Sequence, residues 1–534
     1  MNILNNNYQT TSEIIHKIDK KVFETYPYEN ILKQLECLFN GSYFLELQRP
    51  ATVGDGIIRI DESQENLLYE VFEKAKSVGR VSKFIPASGA ATRMFSKIHS
   101  AINELEDSDF QTILKLSEKN RTAHFAKTIL ENIKLFAFWD DLCLVAGLTE
   151  NQFDYLLSSK PTEILKFIIN SDGLNYDNKP KALIKFHKYE NHSRTAFIEH
   201  LYESTFYQDD TSKIISIHFT ISENHFDLFK EEEKNIQNFD LLKNYVFNLS
   251  YSFQKKSTDS ITLTIDNELF LDSDGQPIFR PAGHGALLEN LNDLKADIIF
   301  IKNVDNVCVD RLKPITVKYK KLLAGFLLLI QRQVFEYLSI LEKKSDDEQL
   351  RNQIINFSDK ILNIKKPNGY FNWDTEKQRK FLFDKLNRPI RVCGVVKNEG
   401  EPGGAPFWVR NQNGELNLQI VEQSQVNLLD ETQRLIFNNS THFNPVDIVA
   451  GLRDYKGKNF DLMKFRDENS YMIVNKTIGN VKIKSLELPG LWNGGMSDWI
   501  SIFVEVPSET FNPVKEVTDL LRQGHIEKID EGFI

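Results

Sequence analysis

Cysteine is scarce in this chain. Its four thiols, Cys37, Cys143, Cys308 and Cys393, are far apart, with no CxxC pair and no zinc-type spacing. That excludes a disulfide scaffold or a cysteine-held metal as the organising device, and a reduced, intracellular setting is expected. Long apolar runs are also missing. The longest, Leu322 to Ile330, falls well short of the roughly 20 residues that cross a bilayer. Met1 to Gln9 is polar and asparagine-rich, without the apolar core of a signal peptide. A cytoplasmic location is therefore expected. Positive charge is in deficit, 65 Lys and Arg against 75 Asp and Glu, for a net charge of −10. This argues against a general nucleic-acid binder, though a local basic pocket for one small anion remains open. The chain has no Gly-Lys-Ser/Thr phosphate loop, no GxGxxG, no HExxH and no triad signature. Glu401-Pro402-Gly403-Gly404-Ala405 is glycine-rich but reads as a turn between strands.

Hydrophobic residues make up 41 % and charged residues 26 %, the balance of a globular protein. The length suits two or three domains, or one large domain with insertions. Residues 62–79 carry apolar positions at helical spacing, and 82–87 reads as a short buried strand. From about Phe95 to Asn178 the pattern is helical, an insertion. Strand-like runs return at Lys181–Phe186, Ile214–Ile221, Ser260–Ile265 and Asp297–Val304, with a helix over Arg194–Thr205. Residues 322–385 are helical apart from a Pro367-Asn368-Gly369 break. Strands resume at Arg391–Val396, Leu416–Glu422, Val481–Leu486 and Ile500–Val506, and a short helix is expected near Val514–Leu521. Strand–helix–strand alternation implies an α/β fold with a mainly parallel, buried sheet and helical insertions. The expected division is an N-terminal helical region 1–80, a first catalytic half 81–310, a helical segment 311–390 and a second half 391–534.

Five segments could carry chemistry, and each also has a plain structural reading. Ala87-Ser88-Gly89-Ala90-Ala91-Thr92-Arg93 follows a strand and opens a helix. Small residues, outward N–H groups and a guanidinium can meet phosphate there, or the segment is an ordinary strand-to-helix turn. In Pro180-Lys181, a lysine entering a buried strand either faces a polar site or precedes an edge strand. Gly283-His284-Gly285 is a compact loop able to approach a base or sugar, or a turn. Asp305-Asn306, beyond the apolar run 298–301, is where a sheet of this class places a ligand, and its carboxylate could hold Mg²⁺ against phosphate oxygens or simply end the strand. Lys515, in Phe511-Asn512-Pro513-Val514-Lys515, could reach a phosphate or remain a surface lysine.

In this order, the segments resemble the nucleotide-sugar pyrophosphorylases, and in particular the UDP-N-acetylhexosamine pyrophosphorylase group. Gly89-Ala90-Ala91-Thr92-Arg93-Met94 is similar to that family's Gly-x-Gly-Thr-Arg signature, and Pro180-Lys181 to its Pro-Lys pair. Gly283-His284-Gly285 resembles its Gly-Asn-Gly loop, and Val304-Asp305-Asn306 its Val-Asp-Asn metal motif. Ile420-Val421-Glu422-Gln423-Ser424 resembles its Val-Glu-Tyr-Ser strand, Phe443-Asn444 its Phe-Asn motif, and Phe511 to Lys515 its Phe-x-Pro-Leu-Lys end. The resemblance implies a GT-A-type nucleotidyltransferase fold and transfer of the nucleotidyl group of an NTP, expected to be UTP, onto a sugar 1-phosphate with Mg²⁺, giving NDP-sugar and pyrophosphate. It implies Arg93 and Lys181 as catalytic groups, with Ala87, Ser88, Gly89, Ala90, Thr92, Gly283 and His284 at the nucleotide. Glu422 and Asn444 would hold sugar hydroxyls, Lys515 the sugar phosphate, and Asp305 the metal, with Asp498 as a second ligand. An NDP-sugar-dependent glycosyltransferase and a non-catalytic nucleotide-sugar-binding protein are the alternatives. The chain departs from the pattern at Ala91, where the family has glycine, at Gln423 and at Pro445. Arg93 and Lys181 are also much farther apart in the chain than in the family.

Overall fold

The computed structural model describes residues 11–208, 213–400, 403–411, 413–444 and 447–527. Glu401, Pro402 and Pro445, singled out above, lie outside them, as does Met1 to Gln9. A ten-stranded sheet forms the centre of the protein. Its strands are β1 (Thr52–Val53), β2 (Gly56–Ile58), β3 (Val81–Pro86), β4 (Ile214–Ile221), β5 (Val246–Phe253), β6 (Ile298–Lys302), β7 (Ile390–Lys397), β8 (His442–Phe443), β9 (Asp447–Gly451) and β10 (Ile500–Glu505). The order is β1-β2-β10-β7-β9-β6-β3-β4-β5, with β8 paired to β7. All neighbours are parallel except at β9, which runs antiparallel to both β6 and β7, and at β8. The expected mixed, mainly parallel sheet is thus present. The carboxyl ends of β3, β4, β6, β7 and β10 share one edge, and β9 starts from it.

The central strand Ile298-Ile299-Phe300-Ile301-Lys302 is buried along its whole length, as a run covered on both faces requires. Helix α3 (Lys313–Glu342) lays Leu323, Leu327 and Val334 against Phe300, Val392 and Ile502 of the sheet. It also packs on the helix Glu62–Ser77, where a Cβ on Gly325 would stand 2.2 Å from the Leu68 carbonyl. Glycine at 325 is what lets the two backbones approach. The segment Asp310–Glu342 is long and apolar enough to cross a membrane, but half of its apolar window is buried inside the protein.

Several expected strands belong elsewhere. Ser260–Thr264 and Val481–Glu487 lie in a separate four-stranded sheet, and Leu416–Val421 pairs in a three-stranded sheet with Ala405–Arg410 and Glu46–Pro50. The run from Lys181 is not a sheet strand. It opens as a 3₁₀ turn, Lys181–Leu183, followed by Lys185–Lys188 in a two-stranded hairpin with Ser193–Thr195. The closing helix is a 3₁₀ turn, Val517–Leu521. The first eighty residues are not only helical: they supply β1, β2 and the strand Glu46–Pro50.

The insertion consists of helix α1 (Thr92–Leu105) and five further α-helices ending at Ile169. Its core of Met94, Phe95, Ile98, Ile129 and Ile168 also takes in Val307 and Val514, which lie close in sequence to Asp305 and Lys515.

Candidate functional site

The loop between β3 and α1 is pinned from both sides. Ala87 is buried, with its N–H on the Thr220 carbonyl at 2.8 Å. The Ser88 carbonyl accepts from Ser222 Oγ at 2.9 Å. Ala87 therefore shapes the loop from inside and does not face a ligand. Gly89 and Ala90 are exposed. Gly89 does not use a left-handed conformation, and a Cβ there would meet nothing within 4 Å. Its contribution is open space. Helix α1 starts without a side-chain cap and without an acidic residue in its first turn. Its first N–H groups and its positive dipole end are left for an anion.

The insertion leaves and returns at this loop. The Ala91 N–H donates to the Lys179 carbonyl (3.1 Å), the Lys181 N–H donates to the Gly89 carbonyl (3.3 Å), and Ala90 and Pro180 form a β-bridge. The 3₁₀ turn then places Lys181 Nζ 2.7 Å from Asp305 Oδ2, both side chains about four-fifths buried. Arg93 sits in the first turn of α1, exposed and without a side-chain partner among the described residues. Thr92 is exposed, its Oγ1 donating to the Asp177 carbonyl at 3.4 Å. The methyl of Ala91 points into the apolar core of the insertion beside Met94 and Phe95, away from the open side of the loop.

Asp305 follows β6 in a tight turn. The Val304 carbonyl accepts from His200 Nε2 at 3.0 Å, in helix α2 (Ala196–Ser204). Asn306 Oδ1 accepts from the Asn512 N–H at 2.9 Å, and Asn306 bridges Pro513. That contact carries the Phe511–Lys515 segment to the same place. Lys515 is exposed, its N–H on Asp519 Oδ2, and its neighbour Glu516 pairs with Lys97 of α1 at 2.6 Å.

A second group gathers around Glu422. Gly283 has φ +75, a conformation that favours glycine. His284 Nδ1 accepts from the Leu491 N–H at 3.0 Å, so its Nε2 carries the proton toward Glu422 Oε1, 3.7 Å away. The imidazole stacks on Trp492 with centroids 4.3 Å apart. Burial by itself would raise the Glu422 carboxyl, but His284 and Asn493 hold it below its ordinary value. Gly404 lies between Glu422 and Asn444. A Cβ on it would sit 3.6 Å from Glu422 Cγ, and its carbonyl accepts from the Asn444 N–H at 2.9 Å. The Asn444 side chain is buried, with neither Oδ1 nor Nδ2 bonded among the described residues. The Lys302–Asp447 rung joins the two groups, since Asp305 and Asn444 extend from its opposite ends.

Asp498 does not join them. It precedes β10, at the amino edge of the sheet, 3.6 Å from Arg388, which precedes β7. The second metal ligand expected there is on the wrong edge. No group of three or more His, Cys, Asp or Glu side chains able to hold a metal occurs among the described residues.

Beneath the carboxyl edge lies a buried charge network that the sequence analysis did not identify. Glu203 of α2 takes Lys302 Nζ on one oxygen (2.6 Å) and Lys83 Nζ on the other (3.0 Å). Lys320 of α3 reaches Asp447 at 2.6 Å. Burial first, then Lys320 and Lys302, push Lys83 down to about 7 against the pull of Glu203. The signal in the sequence is Glu199 and Glu203, one turn apart in an apolar helix, and Lys83 inside an apolar strand.

No curated protein sequence matches the chain at a significant level. By structure it resembles a Trypanosoma brucei UDP-N-acetylglucosamine pyrophosphorylase in complex with inhibitor, at 12 % identity, over 89 % of this chain and 72 % of that one, with a TM-score of 0.45. A putative UDP-N-acetylglucosamine pyrophosphorylase from Entamoeba histolytica aligns at 12 % identity over 88 % and 85 %, with a TM-score of 0.42. A mutant UDP-glucose pyrophosphorylase from Leishmania major in complex with UDP-glucose aligns at 12 % over 96 % and 78 %, with a TM-score of 0.43. The model described as "Domain of unknown function (DUF4301)" matches residues 12–526, and the chain belongs to that family.

Proposed function

We propose that this protein is a nucleotidyltransferase that joins a sugar 1-phosphate to an NTP, with UTP the expected nucleotide, and releases pyrophosphate. The observation that carries the reading is the meeting of Lys181 with Asp305 beside the uncapped start of α1. An ammonium, a carboxylate, free helix N–H groups and an unpartnered guanidinium at one sheet edge form a set suited to a polyphosphate. A phosphate oxygen of the sugar 1-phosphate attacks the α-phosphorus. One P–O bond forms there as the bond to the bridging oxygen breaks, and pyrophosphate carries the electron pair away. Such a transfer depends on positioning and charge neutralisation. Arg93 and the start of α1 receive the leaving pyrophosphate. Lys181 neutralises the phosphate under attack. Glu422 and Asn444 hold sugar hydroxyls, Lys515 is assigned to the sugar phosphate, and His284 to the nucleotide.

A lone carboxylate suits Mg²⁺, which is commonly held by one or two protein carboxylates together with substrate phosphates. Asp305 is the residue that would hold it, and the ion would supply further charge neutralisation. The test is incubation of the full chain with Mg²⁺, each NTP and a panel of sugar 1-phosphates, with pyrophosphate measured. Release with one pair is expected. Tight nucleotide binding without pyrophosphate from any pair overturns the catalytic reading in favour of a binding protein, and consumption of an NDP-sugar in its place favours a glycosyltransferase.

A further inference from the structure

The two lateral edges of the central sheet differ. One ends on β1, which is only two residues long. The other ends on β5, eight residues in regular parallel register with β4, from Ile214 beside Val246 to Ile221 beside Phe253. In a β-ladder a strand bonds each neighbour through alternate residues. The Val246 N–H donates to the Lys213 carbonyl at 3.0 Å, so Asn248, Ser250 and Ser252 also face β4. Phe247, Leu249, Tyr251 and Phe253 then turn their N–H and C=O groups outward, and no strand among the described residues pairs with them. The Phe253 carbonyl accepts from Asn290 Nδ2 at 2.8 Å.

Sheets in natural proteins blunt such an edge with charge, proline, a bulge or a covering element. β5, Val246-Phe247-Asn248-Leu249-Ser250-Tyr251-Ser252-Phe253, has no charge, no proline and no register shift. Exposed apolar side chains border it: Val246 and Phe253 at its two ends, Ile214 beside Val246 on β4, and Leu241 in the segment before it. The helix Phe226–Asn235 packs on the face that carries Tyr251 and Phe253, with the Phe226 ring centroid 5.9 Å from the first and 6.0 Å from the second. A long, uncharged edge with apolar borders is the template for one more strand.

We propose that β5 is a dimerisation edge, to which a second copy of this chain adds its own β5 in antiparallel pairing about a two-fold axis at Ser250. The order of residues along the strand selects that occupant. With Ser250 opposite Ser250, Phe247 meets Phe253 of the second copy and Leu249 meets its Tyr251. All four outward residues of each strand then exchange hydrogen bonds, and their side chains form apolar pairs on one face. On the other face Asn248 meets Ser252, and Val246 meets Gln254. No charge meets a like charge, whereas an acidic or basic peptide would find no counter-charge on this strand. The two central sheets join into one. Antiparallel pairing points their carboxyl edges in opposite directions, so both candidate sites stay open, and the inference does not rest on the transfer reading. Two eight-residue strands are small beside the roughly 1,600 Å² of a standard interface, so the dimer is expected to be reversible.

The test is analytical ultracentrifugation of the full chain over a range of protein concentrations. A monomer–dimer equilibrium is expected. Ser250→Lys sets two ammonium groups against each other at the axis and should weaken that equilibrium about tenfold or more. Circular dichroism checks the fold of this variant, because Ser250 Oγ also bonds His218 Nδ1 at 2.8 Å. Ser250→Cys supplies the second readout, and decides the matter if the lysine variant fails to fold. Residues at a non-hydrogen-bonded antiparallel pair have Cα atoms about 4.5 Å apart, within reach of a disulfide, so mild oxidation should yield a covalent dimer. Asn248→Cys, whose counterpart across the axis is Ser252, should cross-link no more than the unmodified protein. A monomer at every concentration overturns the proposal. So does a dimer that keeps its affinity in a folded Ser250→Lys variant, or one that Ser250→Cys cross-links no better than Asn248→Cys, since such a dimer uses another surface.

Discussion

Lys181 and Asp305, 124 positions apart in the chain, meet at 2.7 Å between Nζ and Oδ2. The contact joins the return of the helical insertion to the end of the central strand. If it is a phosphate and metal site, Asp305→Asn should lower pyrophosphate release at least a hundredfold and raise the Mg²⁺ concentration needed for half-maximal rate. A partly exposed pair contributes only about 1 kcal/mol to stability, so the melting temperature should move little. A retained rate removes Asp305 from its role.

Among the described residues Arg93 has no side-chain partner to lose. Arg93→Ala should leave urea unfolding unchanged and reduce turnover by about 10²–10³, the usual effect of removing one group that stabilises developing charge. Steady-state kinetics with pyrophosphate detection reads the outcome, and an unaltered rate excludes Arg93.

Ala91 departs from the pyrophosphorylase pattern at the loop, yet its methyl is packed in the insertion core. Introducing the pyrophosphorylase glycine with Ala91→Gly should therefore cost about 1 kcal/mol of stability and bring no gain in activity. A faster enzyme would show that the methyl obstructs the substrate.

Asn444 holds two buried polar atoms that are unbonded among the described residues. Asn444→Leu should raise the melting temperature, because it removes groups that burial leaves unsatisfied, and should weaken sugar 1-phosphate binding at least tenfold. A lower melting temperature together with unchanged binding would show that the amide serves the fold alone.

Lys83 is pushed from 10.5 down to about 7, chiefly by burial. The unfolded chain keeps this proton up to the ordinary lysine value, whereas the folded protein releases it near 7. Between those limits the unfolded state binds more protons, so stability should rise with pH from about 7 toward 10.5 through this group, and the full cost of the buried charge applies below 7. Lys83→Met should remove that part of the slope in urea midpoints measured across the range. Glu203 keeps Lys302 at 2.6 Å in the variant and is not left bare. An identical slope would mean that Lys83 is not the group titrating.

The apolar strands were legible because each is a short, unbroken hydrophobic run. Ile214–Ile221 has the expected bounds, and β3 and β6 are within a few residues of theirs. Sheet membership was not legible. Ser260–Thr264 and Ile298–Lys302 are similar apolar segments, yet only the second is in the large sheet. Five strands of that sheet were missed: the short β1, β2 and β8, and also β5 and β9. β5 alternates Phe247, Leu249, Tyr251 and Phe253 with polar residues, a readable signal, whereas β9 is five residues of no distinctive pattern. Ordered motifs singled out Lys181 and Asp305, which the fold brings together, whereas Asp498, outside those motifs, lies at the other edge, since position along a chain carries no information about which edge of a sheet a turn occupies. The Lys83–Glu203–Lys302 contacts and the His187–His525 pair, 338 positions apart, are created only by tertiary packing.

The paired contacts of Gly89 with Lys181 and of Ala91 with Lys179 also bear on how the molecule assembles. They close a long stretch of chain, and the entropy of closing so large a loop is not repaid by two hydrogen bonds. The six helices between them shorten that stretch by folding on one another, chiefly through neighbours close in sequence. The insertion must therefore be structured before the loop between β3 and α1 can hold its shape. In a refolding experiment the loop should acquire protection from hydrogen exchange after the helices do, so that a chain with this loop in place has already completed its largest appendage.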